Sequence, residues 1–349
     1  MKKNFSLRLN GLSLFINIKA LWTILILFAL LLAVLIASAG VGDMFIAPVE
    51  VMKSLFGMGS EIHNLVVRSF RLPRALLAAL AGMAFAVAGT ILQGIVRNPL
   101  ASPDIIGITG GASLAAVGFL AIFSTNDNAL TVSIHWLPLA AFAGALLTGI
   151  LLFALSQKKG TSQMRLILID IGLMAGLKAL TDFFIILGPL YLASKATIWM
   201  TGSVHGATWN QVLILFIWFF VLFFITVVVA RRLNVQELGA SVAISVGSRL
   251  NSDRNMLLVL SAALTAGAVA FAGGIGFVGL MAPHMARRLV GAVHGALVPT
   301  SALLGGIIVM AADLVGRTLF LPLEVPAGVF TSAIGAPYFI YLLYKSRNQ

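Results

Sequence analysis

Apolar runs of membrane-crossing length recur along this chain, separated by short polar links. A bilayer core takes roughly 20 consecutive apolar residues in helical form. Windowed apolarity marks ten candidates, near residues 20 to 40, 75 to 96, 104 to 123, 136 to 155, 165 to 188, 209 to 230, 256 to 273, 276 to 290, 298 to 314 and 326 to 344. The pattern predicts an all-α integral membrane fold, a polytopic bundle of about ten transmembrane helices. It reads as one transmembrane domain over 1–349, with an N-terminal tail at 1–19, a membrane bundle at 20–345 and a polar loop at 235–249.

The second run carries the most internal information. Ala78, Gly82, Ala86, Thr90 and Gly94 recur every fourth residue, stacking small side chains on one helix face where another helix packs closely. The run stops at Arg97, and RNPLASP (97–103) turns the chain with two prolines before the next run opens at Asp104. At the N-terminus, Lys2, Lys3 and Arg8 precede the run Leu21–Ala37, and Ala37-Ser38-Ala39 imitates a signal-cleavage site. The run exceeds the roughly 7 to 15 residues of a signal core, so an uncleaved first span is the preferred reading.

Composition and charge narrow the picture. With 60% hydrophobic and 10% charged residues and a mean hydropathy of +1.05, the chain is too apolar for an ordinary soluble domain. The net charge of +12 does not point to nucleic acid, because the basic residues sit in small groups at the ends of apolar runs. If the N-terminus lies inside, sixteen of the twenty-three Lys and Arg residues fall on inner segments, which predicts both termini in the cytoplasm. The outer segments hold Lys53, Arg68, Arg71, Arg74, Lys195 and Arg317, and Lys178 falls within a span. The absence of cysteine excludes disulfides, thiolate metal sites, a thiol nucleophile and lipid attachment through cysteine.

No GxxxxGK[ST] phosphate loop occurs, and GITGGA (107–112) and GGIGFVG (273–279) lack the lysine and the flanking strand of one. These glycines suit close packing or a broken helix. Uphill transport would need energy from another chain. Ten spans also divide into two oppositely oriented halves of five.

Three groups of residues invite a function. Arg71 and Arg74 flank Pro73 where a helix is expected to begin, on the outer side. Cations there oppose the helix dipole, so an acidic partner or lipid headgroups should meet them, and Arg317 in ADLVGR is a third. On the inner side, Leu238, Ala240, Val242, Ile244 and Val246 give the segment 233–254 an apolar surface, with Gly239 and Gly247 as breakers. Two short helices docking a cytoplasmic partner would explain it, as would an amphipathic segment lying on the membrane. Within the fifth run, Lys178 has Asp182 one turn ahead and Asp170 two turns behind; this reads as a transport path or as a neutralised pair. Gln93, His284 and Asp313 are further polar residues within spans. No second ligand accompanies His284 at helical spacing, so no metal site is expected. No Ser/His/Asp set or carboxylate pair suggests catalysis.

Several blocks resemble, in order, those of the permease subunits of binding-protein-dependent ABC importers for iron-siderophores, haem and cobalamin, the FecCD type. They are RLPRALLA (71–78), AGTILQGIVRNPLASPDIIGITGGA (88–112), GGIGFVGLMAPHMARRLVG (273–291), AADLVGR (311–317) and PLEVPAGVFTSAIGAPYFIYLL (322–343). The resemblance implies a type II ABC importer permease-like fold in a bacterial plasma membrane, with two permease subunits, identical or homologous, around a central path. It also implies two cytoplasmic ATPase subunits that bind the ATP, and an extracytoplasmic substrate-binding protein. By the same resemblance Arg71, Arg74 and Arg317 meet acidic residues on that binding protein. The ATPase-coupling segment covers Val235, Glu237, Leu238, Gly239, Ala240, Val242, Val246, Gly247 and Arg249. Relatives usually place an acid after Leu-Gly, where this chain has Ala240. Gln93, Lys178 and Asp182 remain candidate path residues, and the implied cargo is an iron-siderophore, with cobalamin or haem as alternatives. An ion-coupled transporter working through Lys178, Asp170 and Asp182, or a non-transporting scaffold, would lack these blocks.

Overall fold

The computed structural model describes residues 4–9, 12–103, 107–125, 130–156, 163–188 and 190–346. It opens on an antiparallel hairpin, β1 (Asn4–Leu9) with β2 (Leu12–Asn17), in which Asn4 faces Asn17 and Leu9 faces Leu12. Part of the expected tail is therefore strand. Phe5, Leu7 and Leu9 alternate with Asn4, Ser6 and Arg8 at the strand period, a signal to which long apolar windows are blind.

Helices follow. They are α1 (Ile18–Gly40), α2 (Pro48–Leu55), α3 (Glu61–Leu65), α4 (Leu72–Val96), α5 (Ile108–Phe123), α6 (Leu137–Ser156) and α7 (Gln163–Leu187). Then come α8 (Leu190–Thr201), α9 (Trp209–Glu237), α10 (Ala240–Ser245), α11 (Leu250–Ala272), α12 (Val278–Val290), α13 (His294–Thr318) and α14 (Ala327–Ser346). Among the described residues seven helical stretches are long and apolar enough to cross a membrane: 18–40, 61–96, 134–152, 209–237, 250–272, 294–318 and 327–344. Of the other three expected spans, α5 and α12 are shorter, and α7 carries Asp170, Lys178 and Asp182 within it.

Helix α4 is the axis of the bundle, buried along almost its whole length among α9, α11, α12 and α13. The small-residue face explains how so many helices reach it. A Cβ on Gly82 would strike the carbonyl of Gly305, and one on Gly305 would strike that of Gly82, so the α4 and α13 backbones touch reciprocally. Gly89 meets the carbonyl of Gly279 ahead of α12's second turn in the same way. In a bilayer, where lipid tails are as apolar as leucine, such close approach supplies the packing that holds helices together. Gly111 of α5 and Gly144 of α6 repeat the device.

The helix feeding α4 begins ten residues before the expected start at Arg71. Glu61–Leu65 runs through a π-helical segment, Val66–Arg71, into α4 without a break. Pro73 explains the change of pitch. The Leu72 N–H reaches back five residues to the Val67 carbonyl, and next in that register Pro73 has no N–H to offer Arg68. The Trp209 indole takes up the Arg68 carbonyl instead, at 2.8 Å. Arg71 and Arg74 thus lie inside a continuous helix rather than at its head.

Asp104 and the two residues after it lie outside the described residues, but the start of α5 is clear. The buried Asp170 carboxylate of α7 accepts the Gly107 N–H at 2.6 Å, satisfying a donor at the helix start that has no partner within the helix. Asp170→Ala is expected to lower stability by about 0.5 to 2 kcal/mol, as a lost helix cap does. An unchanged melting temperature in detergent would show that the cap contributes nothing.

Candidate functional site

Folding brings Arg71 and Arg74 together with Arg317, more than 240 residues later in the chain, onto one cavity of about 550 Å³. Its wall includes Arg71, Arg74, Arg317, His205, Glu324 and Asp43. None of the three waits with an idle guanidinium. Arg71 donates to the carbonyls of Ala39 (3.1 Å), Gly40 (2.9 Å) and Met44 (2.7 Å), closing the C-terminal end of α1, where a cation also suits the helix dipole. Arg317 donates to the Ser38 carbonyl and, at 3.0 Å, to the Ser38 hydroxyl.

Arg74 is the most heavily engaged. Its Nε and Nη2 grip the Asp313 carboxylate at 2.9 to 3.0 Å, and its Nη1 reaches both Glu324 oxygens at 2.9 and 3.1 Å. Such forked contacts are the strong form of charge-assisted hydrogen bond. Asp313 also lies 3.8 Å from Arg317 Nε, one turn away on α13, so it stands between two guanidiniums. Glu324, on the link to α14, is 2.8 Å from His205 Nδ1. Burial pushes the Glu324 carboxyl up, but Arg74 and His205 outweigh it and hold the group below the ordinary glutamate range. Sequence pattern marks Asp313 only as a polar residue in a span and gives Ser38, His205 and Glu324 no role at this site. The spacing of Asp313 to Arg317, one helical turn, was the available signal.

α9 continues to Glu237, so Val235 and Glu237 belong to it and the segment beyond contains one short helix, not two. Leu238 closes α9, Gly239 turns the chain at φ +109°, and α10 runs from Ala240. Gly247 (φ +84°) ends the link ahead of Arg249 and α11; both glycines occupy backbone conformations that side chains resist. Leu238, Val242, Ile244 and Val246 are exposed around a single buried residue, Ala243. Four exposed apolar side chains thus crowd one short polar link.

Beneath it, Glu237 Oε1 lies 3.7 Å from Arg287 and 3.9 Å from His294 Nε2. Arg287 donates to Gln93 Oε1 at 3.3 Å. Gln93, expected on a path, is buried between α4 and α12, and Asn234 fixes His294 by accepting its backbone N–H at 2.8 Å. A polar chain thus runs from α10's approach into the axis helix. Lys178 and Asp182 form an ion pair at 2.9 Å on the open side of α7, the lysine side chain 72% exposed. Lys178 also borders a small cavity with Thr109, Ser113, Thr181, Met174 and Met200. His284 stacks edge-on to Tyr338 at 5.8 Å. Among the described residues no three His, Asp or Glu side chains are placed to hold a metal ion.

Residues 30–345 match the model of the FecCD transport family. A probable siderophore transport system permease protein of Bacillus subtilis is 54% identical over 332 residues, covering 95% of this chain and 97% of that protein. The achromobactin transport system permease protein of Dickeya dadantii is 44% identical, covering 95% and 94%. Among solved structures, an inward-facing conformation of a metal-chelate type ABC transporter superposes with a TM-score of 0.81 at 31% identity, covering 92% of this chain and 98% of that one. With several membrane-crossing helices and a family match over nine-tenths of its length, this multi-pass membrane protein belongs to the FecCD transport family.

Proposed function

We propose that the chain is the permease subunit of a binding-protein-dependent ABC importer, carrying an iron-siderophore complex across a bacterial plasma membrane with ATP hydrolysed on separate subunits. The observation that carries this reading is the end-to-end match to siderophore permeases, 54% identical to one of them with no stretch of consequence unmatched. In this reading α5, α7 and α12 join the seven longer helical stretches to give ten spans, and both termini face the cytoplasm. Two permease subunits, two ATPase subunits and an outer binding protein make the working assembly.

The geometry supports a division of labour. Arg71, Arg74 and Arg317 line one cavity, Arg74 held by Asp313 and Glu324 and the other two by the end of α1, and in this reading acidic side chains of the binding protein exchange for those partners. Val235, Glu237, Leu238, Gly239, Ala240, Val242, Val246, Gly247 and Arg249 form the ATPase contact. Its movement reaches α4 through Glu237, Arg287 and Gln93. Lys178 and Asp182, an exposed pair on a helix that in this reading crosses the membrane, suit a wet surface better than lipid, which supports assigning them to the path between the two permeases.

The test is uptake of radiolabelled iron as its citrate and hydroxamate chelates by cells lacking the chain, before and after it is restored. Restored uptake should stop on ATP depletion and survive collapse of the proton gradient. The opposite dependence would replace the importer with an ion-coupled transporter.

A further inference from the structure

The inner end of α9 carries a second built cavity, about 480 Å³, lined by Arg231, Arg232, Arg249, Ser248, Ser252 and Asp253, with Val246 and Gly247 of the coupling segment at its edge. Asp253 is the one acid on this wall, and it is already occupied: Arg232 holds one carboxylate oxygen at 2.6 Å and the Ser248 hydroxyl donates to the other at 2.8 Å. Three arginines against one aspartate leave the wall with a formal charge of +2. What lies beside this wall decides what it binds. Phe220, Phe224 and Val228 recur every fourth residue down α9, all exposed, Phe224 by 70%. One further turn along the same face stand Arg231 and Arg232. An acyl chain lying along that face ends where the guanidiniums begin.

We infer that this cavity binds the phosphate headgroup of an anionic phospholipid from the inner leaflet, its acyl chains running along α9. Guanidiniums offer planar, paired donors to phosphate oxygens, and Ser248 and Ser252 add hydroxyls. Basic pockets at the cytoplasmic ends of spans are where anionic headgroups collect. An acidic side chain of an ATPase would match the charge but not the apolar face leading into the site. The bound headgroup touches Val246, Gly247 and Arg249, so leaflet composition acts on the coupling segment directly. The inference rests on α9 crossing the membrane with its Arg231 end inside, and not on the cargo.

The experiment is native mass spectrometry of the full chain in mild detergent with equimolar phosphatidylglycerol and phosphatidylethanolamine. Phosphatidylglycerol adducts should outnumber the other several-fold. Arg231→Gln with Arg249→Gln should bring the ratio near one, whereas Lys53→Gln on the outer helix α2 should keep the preference. Equal binding of the two lipids by the unaltered chain overturns the inference without any variant, so a misfolded mutant does not shelter it. Displacement of the lipid by millimolar inorganic phosphate would make this a free-anion site and overturn the lipid assignment. Equal lipid binding together with protection of Arg231 from phenylglyoxal by the ATPase subunit would assign the cavity to that partner. Failure of any of these leaves the uptake test untouched.

Discussion

Replacing Arg74 with alanine should destabilise the protein by about 3 to 5 kcal/mol, the usual penalty for stripping a buried charge of its partner. Asp313 is 2% exposed, and three of its four ion contacts come from Arg74. Only Arg317, 3.8 Å away, would remain. The variant should reach the membrane in much smaller amount and melt well below the parent in detergent. Arg74→Ala combined with Asp313→Asn should recover most of the loss, because the uncompensated carboxylate is gone. If Arg74→Ala alone melts like the parent, the pair is no part of what holds α4 to α13. The same geometry decides how docking is tested. Arg71→Glu with Arg74→Glu should abolish uptake, but the reversal sets a new carboxylate against Asp313, so folding suffers too. Glu324→Gln is the cleaner probe. It loosens Arg74 from the more exposed of its two acids and leaves Asp313 paired.

The second large effect lies at the helix crossings. Gly82→Val or Gly305→Val should prevent accumulation of folded protein, and Gly89→Ala should lower the melting temperature sharply. At each position the obstacle is backbone: the carbonyls of Gly305, Gly82 and Gly279 respectively. Backbone in a packed helix has no rotamer into which to retreat, so the helices must part and the contacts beside the crossing go with them. Gly118→Ala on α5 is the control. Nothing lies within 4 Å of where its Cβ would stand, so the melting temperature should hold or rise slightly. Loss of folding in that variant as well would mean that helix glycines matter here for some reason other than close approach.

These two cases also mark what the chain discloses before it is folded. Ala78 to Gly94 displays its packing face in the open, because a four-residue period of small side chains has few other uses in a membrane helix. The apolar links around Val242 are visible for a similar reason: polar surroundings make apolar residues conspicuous. The acids that answer Arg74 are not visible, since Asp313 and Glu324 lie more than 200 residues away and nothing local ties them to it. Asp170 shows the converse. A carboxylate within a span suggests ion transport, yet among the described residues it caps another helix by accepting its first backbone N–H. The helix from Glu61 was hidden because Arg68, Arg71 and Pro73 imitate a helix start, and the Trp209 indole that covers the exposed carbonyl comes from elsewhere. Local pattern reports what one element needs; it is silent on which distant group supplies it.

The grip of Arg71 and Arg317 on the end of α1 turns the proposed docking site into a clasp. Ser38, Ala39 and Gly40, the last residues of the first helix, and Met44 just beyond are fastened by guanidiniums rooted in α4 and α13. An acid arriving from outside cannot draw on Arg71 or Arg317 without slackening that fastening. Arrival of a loaded receptor would then be felt as an unbuckling of α1 from the bundle's axis, before anything passes through.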